Sequence, residues 1–304
     1  MGLLHFAAHR QAAVLMLAGL VIFFPAFSNT LPMWVANIPS SFQSQNDFGN
    51  LTDFRNDMNV LKEFKIICNQ LLNSSRSSTD YEPVDALEHF FWGFKNGLSF
   101  EMGALDGTDN SESATVILEQ KLGWNRILVE GNPTYKEGLI KFSPDAFSVN
   151  AVICNVANVV HYLLKPYIGG IFEFMHINFL KQHWPEIILA VNTSAPKYDW
   201  EVGEVIWSSP ALANLYKTVA CIPLRDVFKF LAVSMNLSRL HINYFVLDVE
   251  GGEKDVLGML YDNLVFLEIL SSLTIFVRFK QIPSIGMRCN LMCCVSRRFN
   301  ALKT

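Results

Sequence analysis

Apolar and polar positions follow two different patterns along the chain, and the change falls near residue 98. Before it, apolar residues recur at helical spacing over 58–72 and predict one amphipathic helix. After it, short apolar runs alternate with helical stretches, which is typical of βαβ units that build a parallel sheet. The predicted strands cover 98–102, 126–130, 147–154, 217–223, 243–249 and 264–269. The predicted helices after residue 98 cover 111–122, 133–141, 224–235 and 253–260.

This alternation predicts an α/β fold: a Rossmann-like, doubly wound domain with a mostly parallel sheet over residues 98–270. Residues 29–97 are interpreted as a stem and lead-in. Residues 156–216 break the alternation for longer than an ordinary connection, so we expect insertions over the site. The tail, 271–304, is basic, contains cysteines and offers no recognisable partner for the last strand. We therefore expect a sheet that is incomplete at its C-terminal end.

The first 28 residues have the pattern of a targeting segment. Residues 12–27 contain no charged side chain and follow a short stretch with His5, His9 and Arg10. The run has the length of a signal-peptide core and is short for the ~20 residues of a membrane span. Small residues at 26–28 resemble a cleavage site. The segment 1–28 is therefore predicted to be a cleaved signal peptide or an uncleaved signal anchor, with a buried helix as the weaker alternative.

Four Asn-X-Ser/Thr triplets also favour export, because such triplets are glycosylation acceptors only in the secretory pathway. They begin at Asn50, Asn73, Asn192 and Asn236. We expect a glycoprotein that is either secreted or anchored in the membrane with its main domain in the lumen. That compartment is oxidising, so pairing among Cys68, Cys154 and Cys221 is expected. The sequence does not choose the pair.

Composition narrows the class of partner. The 304 residues are 51% hydrophobic and 17% charged, which is enough apolar material for one large core. The formal net charge is -4, so no basic surface for nucleic acid is expected. Cys289, Cys293 and Cys294 lie close in sequence, but no set of histidines or cysteines completes a zinc site. No metal is predicted.

Candidate chemical groups fall where predicted strands end, and the carboxyl ends of parallel strands share one edge of a sheet. The first strand leads into a turn with Gly103 and Gly107, preceded by Glu101. Its spacing is not the GxGxxG of a pyrophosphate site. A ligand with a nucleoside and an amino-acid group suits this turn better, because glycine lets a ligand approach the backbone closely. The alternative is a tight turn in which the glycines bind nothing.

Acidic residues end two of the later predicted strands. Glu130 follows the glycine turn by about 20 residues, where a carboxylate can accept both ribose hydroxyls; the alternative is a charge at the N-terminus of the helix that Pro133 opens. Asp248 and Glu250 follow another apolar run, and two acids at a buried strand end are costly unless paired, protonated or bound to a ligand. The alternative for Glu250 is capping of the next helix.

These blocks together resemble the FkbM-type family of S-adenosylmethionine-dependent methyltransferases. The resemblance spans about 98–260 and is carried, in order, by FEMGALDG, GWNRILVEGNP, FSVNAVICN and YFVLDVEGGEKDVL. The stretch GGIFEFM at 169–175 resembles animal members that carry an N-terminal membrane or signal segment. The resemblance implies a class I methyltransferase fold, S-adenosylmethionine as the cofactor, and methyl transfer to a hydroxyl of a small molecule or glycan.

The resemblance also implies roles for the residues at the strand ends. It implies that Glu101, Gly103 and Gly107 line the methionine end of the cofactor, that Glu130 binds its ribose, and that Asp248 lies on the catalytic side, where we also assign Glu250. No well-placed histidine or lysine near Asp248 is evident as a general base. The alternative function is therefore a non-catalytic protein of the same fold that binds a protein cargo in the secretory pathway, as some animal relatives do.

Overall fold

A computed structural model gives the structure of the protein, and its description covers the residues in the ranges 32–39, 51–73, 82–108, 113–165, 169–175, 177–189, 191–192, 204–205, 212–237, 240–249, 252, 256–259, 270–277 and 297–298. The chain divides into two compact units, Met1–Val35 and Ala36–Thr304. Only residues 32–35 of the first unit are described. The apolar run 12–27 and the predicted strand 264–269 lie outside the described residues.

The fold is mixed α/β. The strands are β1 Val35–Asn37, β2 Thr52–Asp53, β3 Phe94–Lys95, β4 Leu98–Met102, β5 Asn125–Glu130, β6 Phe147–Asn150, β7 Val152–Cys154, β8 Asn158–Leu163, β9 Gly170–Ile171, β10 Val191–Asn192, β11 Glu204–Val205, β12 Tyr216–Pro223, β13 Leu240–Leu247, β14 Leu270–Val277 and β15 Arg297–Arg298. The α-helices are α1 Met58–Asn73, α2 Glu82–Ala86, α3 Val116–Leu122, α4 Lys136–Phe142, α5 Ile177–His183, α6 Pro185–Leu189 and α7 Leu224–Ser234. A π-helical turn covers Leu87–Phe91, and 3-10 turns cover Pro133–Tyr135 and Phe172–Phe174.

The central sheet has the order β1-β6-β5-β4-β13-β14-β15. Every pair from β6 to β14 is parallel, and β15 runs antiparallel to β14. The prediction of an α/β fold with a mostly parallel sheet is confirmed. The chain order reverses beside β4, which has β5 on one side and β13 on the other. This order is compatible with a Rossmann-like fold, in which ligands bind at such a reversal.

The central strands form because most of their residues are apolar and become buried, as the strands of a parallel sheet require. All five residues of β4 are buried, and so are the last six of β13. Phe100 of β4 stacks on Phe245 of β13 with ring centroids 4.9 Å apart. Phe228 of α7 meets Phe100 edge-on at 5.4 Å. These aromatic contacts fix the centre of the sheet from which the strand ends project.

The single strand predicted over 147–154 is wrong as one element, because the chain changes sheet at Ala151. Residues of β6 pair with β5 in the central sheet. Residues of β7 pair with β12 in a second sheet, of order β7-β12-β8-β9. An apolar run does not specify which neighbour each half will pair with, so the sequence pattern could not reveal the division.

A disulfide joins Cys154 at the end of β7 to Cys221 in β12. It selects one of the pairings that the sequence left open. Cys68 of α1 is buried and free, and burial raises the pKa of its thiol to about 11.

Residues that the sequence assigned to the stem contribute to the core of the domain. Phe64 and Ile67 of α1 and Phe91 of the π-helical turn belong to one hydrophobic cluster with Trp124 and Tyr244 of the sheet region. Phe91 packs edge-on against Trp124, with ring centroids 5.0 Å apart. The predicted helix 58–72 is thus confirmed as α1, and it is packed with the rest of the domain.

The C-terminal end of the sheet differs from the expectation. The tail was expected to leave the sheet incomplete, but β14 lies at Leu270–Val277 and extends the parallel sheet beside β13. Arg297 and Arg298 then pair with β14 in the opposite direction. Among the described helices, none combines the length and apolar character needed to cross a membrane.

The disulfide yields a prediction for stability. Changing Cys154 and Cys221 together to alanine removes a cross-link between residues 67 apart in sequence. The expected loss is about 4 kcal/mol in the free energy of unfolding, because the unfolded chain gains loop entropy. Urea denaturation without reductant measures it, with Cys68→Ala as the control that leaves the cross-link intact. Equal unfolding free energies for wild type and double variant would contradict the prediction.

Candidate ligand-binding cleft

An open cleft of about 1040 Å³ lies at the carboxyl edge of the central sheet. Its floor includes Gly103 after β4, Glu130 at the end of β5 and Asp248 after β13. Its wall includes Tyr162 of β8 and Ile171 of β9 in the second sheet. The cleft therefore lies beside the reversal in strand order, which is where ligands bind in open α/β sheets.

The parallel register of β4 and β13 brings two turns together at the floor. Met102 is the partner of Leu247 in that register, and the backbone N–H of Asp248 donates to the Met102 carbonyl at 3.1 Å. Gly103 has φ +84, and a Cβ there would overlap the carbonyl oxygen of Asp248. Glycine is required at 103 both for its left-handed backbone and for this close approach.

Glu130 is buried, with 2% of its surface exposed. Its Oε2 accepts the backbone N–H of Leu105 at 2.9 Å, and its Oε1 accepts that of Asn132 at 2.6 Å. The pKa of Glu130 is raised to about 7, chiefly by burial and to a smaller extent by the charges of Asp248 and Glu101, while the two amide hydrogen bonds oppose the shift. A carboxylate has about four acceptor positions, so acceptor capacity remains on Glu130 for ligand hydroxyls.

The backbone amides of the glycine turn are used within the protein. Gly103 and Ala104 both donate to the carbonyl of Val129, at 2.9 and 3.3 Å. Leu105 donates to the carboxylate just described, and Gly107 donates to the Ala104 carbonyl at 2.8 Å. A pyrophosphate site needs such amides directed at the ligand. This turn therefore gives a phosphate little to bind, and the carboxylates on the floor favour a ligand with hydroxyls and positive charge.

The structure places Glu101 outside the lining of the cleft. Its Oε2 accepts the hydroxyls of Ser113 at 2.8 Å and Thr115 at 2.5 Å, and its Oε1 accepts the backbone N–H of Ala114 at 2.8 Å. The guanidinium of Arg126 lies 3.7 Å away. Glu101 is thus bonded to the start of the segment that leads into α3.

Gly107 also lies outside the lining. It has φ +74, and a Cβ there would overlap the Ser143 hydroxyl and approach Leu128 Cδ1 to 2.5 Å. Its role in the structure is close packing at the far end of the turn. Of the six predicted site residues, the structure brings three together in the cleft, places two beside it, and leaves Glu250 outside the described residues.

Lys165 is a cleft residue that the sequence patterns did not identify, although an insertion over the site was expected around it. Its Nζ donates to the carbonyl of His183 at 2.8 Å and lies 5.1 Å from the centre of the Trp184 ring. A cation is therefore held at the mouth of the cleft. The β-branched and aromatic residues of 158–163 could have indicated a strand, but pattern alone does not show where a strand lies in space.

No family model, curated protein or solved structure matches this chain. The family assignment therefore stays a prediction from the four sequence blocks. Across the described ranges, no group of three or more histidine, cysteine, aspartate or glutamate side chains could hold a metal ion.

The contact between the two turns can be tested at Gly103. Changing Gly103 to alanine should lower the free energy of unfolding by about 1–3 kcal/mol or more, because the new Cβ overlaps the Asp248 carbonyl and φ is positive. Gly258→Ala is the control, since its Cβ would meet no atom within 4 Å, and because this glycine is helical the change should leave stability unchanged or raise it by up to about 1 kcal/mol. Urea denaturation of both variants measures the difference, and equal effects would refute the contact.

The carboxyl of Glu130 should make stability depend on pH. Burial raises its pKa from an ordinary 4.5 to about 7 in the folded protein. As pH rises, the unfolded chain loses this proton before the folded protein does. The free energy of unfolding therefore falls by roughly 3 kcal/mol between about pH 4.5 and pH 7. Glu130→Gln should remove that decline. Unfolding free energies of both proteins at pH 4.5 and 8 test it, and parallel pH dependences would disprove the shift.

Proposed function

We propose that the chain is an S-adenosylmethionine-dependent methyltransferase of the class I, Rossmann-like type. It transfers a methyl group to a hydroxyl of a small molecule or glycan. The observation that carries the proposal is the floor of the cleft, where Glu130 and Asp248 lie beside a turn whose amides are already used. S-adenosylmethionine has a sulfonium, an ammonium, one carboxylate and ribose hydroxyls but no phosphate, so its net positive charge and its hydroxyls match such a floor.

The residues present fit this cofactor. Glu130 would accept its ribose hydroxyls, and Gly103 would allow the methionine part to approach the backbone. Glu101 and Gly107, which do not line the cleft, would shape the turn and make no direct contact with the cofactor. Val129 and Val152 in the lining supply apolar surface for the adenine ring, as nucleoside sites require.

The cofactor would supply an activated methyl group, and the protein would supply alignment. Asp248 would accept a hydrogen bond from the acceptor hydroxyl and take its proton as the oxygen–carbon bond forms and the bond between the methyl carbon and the sulfonium sulfur breaks. Because the reaction is an in-line displacement, holding the acceptor in position accounts for much of the rate. Glu250, two residues further along the chain, is proposed to assist Asp248. Lys165 at the mouth marks the side from which the acceptor would enter.

We also propose that the protein works in the secretory pathway, either secreted or anchored through residues 12–27 with its main domain in the lumen. The Cys154–Cys221 disulfide supports an oxidising compartment. Asn73 at the end of α1 and Asn236 after α7 are exposed, which suits glycosylation.

Calorimetry with S-adenosylmethionine tests the proposal on the full chain. Wild type should bind the cofactor, and Glu130→Ala should weaken binding about 10- to 100-fold, because hydrogen bonds to a charged group are lost. Glu137→Ala, which removes an exposed acid on α4, is the matched control and should bind as wild type does. NAD should give no binding, since four amides of the turn from Gly103 to Gly107 already donate within the protein and are not available to its pyrophosphate.

Two results would overturn parts of the proposal. Absence of cofactor binding by the folded wild-type protein would remove the methyltransferase assignment altogether. Binding without methyl transfer to any hydroxyl acceptor in a panel of small molecules and glycans would favour the non-catalytic alternative, a protein that binds cargo. If the enzyme is active, Asp248→Asn should bind the cofactor within about threefold of wild type and lose methyl transfer.

A further inference from the structure

Arg126 is the most thoroughly bonded buried cation in the described part of the chain. It lies on β5, and 1% of its surface is exposed. Its Nε donates to the Thr115 hydroxyl at 2.9 Å, and its Nη1 donates to Glu119 Oε2 at 3.0 Å. Its Nη2 donates to the Ser113 hydroxyl at 2.6 Å and to the Gly107 carbonyl at 2.8 Å. One side chain thus joins the helix that follows the glycine turn to the turn itself.

The charge of Arg126 is balanced where it is buried. Glu101 Oε2 lies 3.7 Å from Nη2 of the guanidinium, and Glu119 Oε2 lies 3.0 Å from Nη1. Burying a cation without such partners would cost several kcal/mol. The five N–H groups of a guanidinium form a rigid fork, so these partners also fix its orientation. A lysine at this position would keep the charge but could not reach both ends of the network.

The bond to Gly107 connects this network to the cleft. Gly107 closes the turn by donating to Ala104, and Leu105 within the turn donates to Glu130. Leu105 has φ +51, an unfavourable conformation for a residue with a side chain. Such a conformation persists only where surrounding contacts hold it. The arginine holds one end of the turn, and the carboxylate of the cleft holds its middle.

We propose that Arg126 is a positioning residue of the cleft. It holds the turn from Gly103 to Gly107 in the conformation that presents Gly103 and Glu130 to the ligand, and it does so without contacting the ligand. The identity of that ligand, S-adenosylmethionine, rests on the proposed function. Loss of the guanidinium therefore weakens cofactor binding through the turn.

Two contacts of Arg126, one with Gly107 and one with Glu119, provide the test. Arg126→Lys removes the hydrogen bond to Gly107, whereas Glu119→Gln weakens only the ion pair with Glu119. Both variants of the full chain should be less stable in urea. Only Arg126→Lys should lose cofactor affinity, by about tenfold or more in calorimetry, whereas Glu119→Gln should stay within about twofold of wild type. In an active enzyme, the lysine variant should raise KM for the cofactor more than it lowers kcat.

Ser113→Ala keeps the proposal testable if the lysine variant does not fold. It removes one of the two acceptors of Arg126 Nη2, the nitrogen that also donates to the Gly107 carbonyl. A loss of cofactor affinity of about threefold is therefore expected. Wild-type affinity in folded Arg126→Lys or Ser113→Ala would overturn the proposal. So would a loss of affinity in Glu119→Gln as large as that in Arg126→Lys, because the arginine would then act through general stability.

Hydrogen exchange separates this proposal from the function on which it rests. Without any ligand, the peptide covering 103–108 should exchange faster in Arg126→Lys than in wild type, while in Glu119→Gln it should exchange at the wild-type rate. If the turn responds in this way but wild type binds no S-adenosylmethionine, the positioning role stands and the proposed cofactor is wrong. If cofactor binds but the turn does not respond, the positioning role is wrong and the cofactor stands.

Discussion

The register between β4 and β13 determines how the two turns on the floor of the cleft are arranged. Pairing of Met102 with Leu247 ends both strands at the same level, so the turn after each strand must occupy the space beside the other. The hydrogen bond from Asp248 to Met102 and the absence of a side chain at Gly103 make that arrangement possible. A shift of one residue would move apolar side chains to the wrong face of the sheet, and the stacked rings of Phe100 and Phe245 oppose it.

Two buried carboxylates at neighbouring strand ends are stabilised in different ways. Glu101 has hydroxyls, an amide and the guanidinium of Arg126 around it. Glu130 has two backbone amides on its oxygens, and burial still raises its pKa to about 7. The first arrangement strengthens the fold. The second leaves a carboxyl whose ionisation is costly, and such groups are concentrated at functional sites.

Sequence patterns predicted the parts of this structure that depend on local burial. The runs that became β4, β5 and β13 are mostly apolar, so their burial could be predicted without knowing their neighbours. The change of sheet at Ala151 and the pairing of Cys154 with Cys221 depend on contacts between distant segments, which periodicity does not contain.

The same distinction holds within the site. Glu101 and Glu130 both lie at or near a strand end, and position alone gave them similar roles. In the structure, the direction of each side chain distinguishes the two residues. Glu101 faces the start of α3 and Glu130 faces the cleft. Lys165 could not be placed from the sequence because its segment reaches the cleft only through the second sheet.

The raised pKa of Glu130 links the fold to the kind of ligand the cleft would take. The carboxyl of Glu130 is therefore partly protonated in the free protein at neutral pH, because its ionisation in a buried site beside Asp248 is unfavourable. A ligand that brings positive charge and hydroxyl donors stabilises the ionised form, so its binding drives release of that proton. A phosphate-bearing ligand would raise the cost of ionisation further. This electrostatic cost supports the proposal that the cleft takes a cationic nucleoside in preference to a dinucleotide.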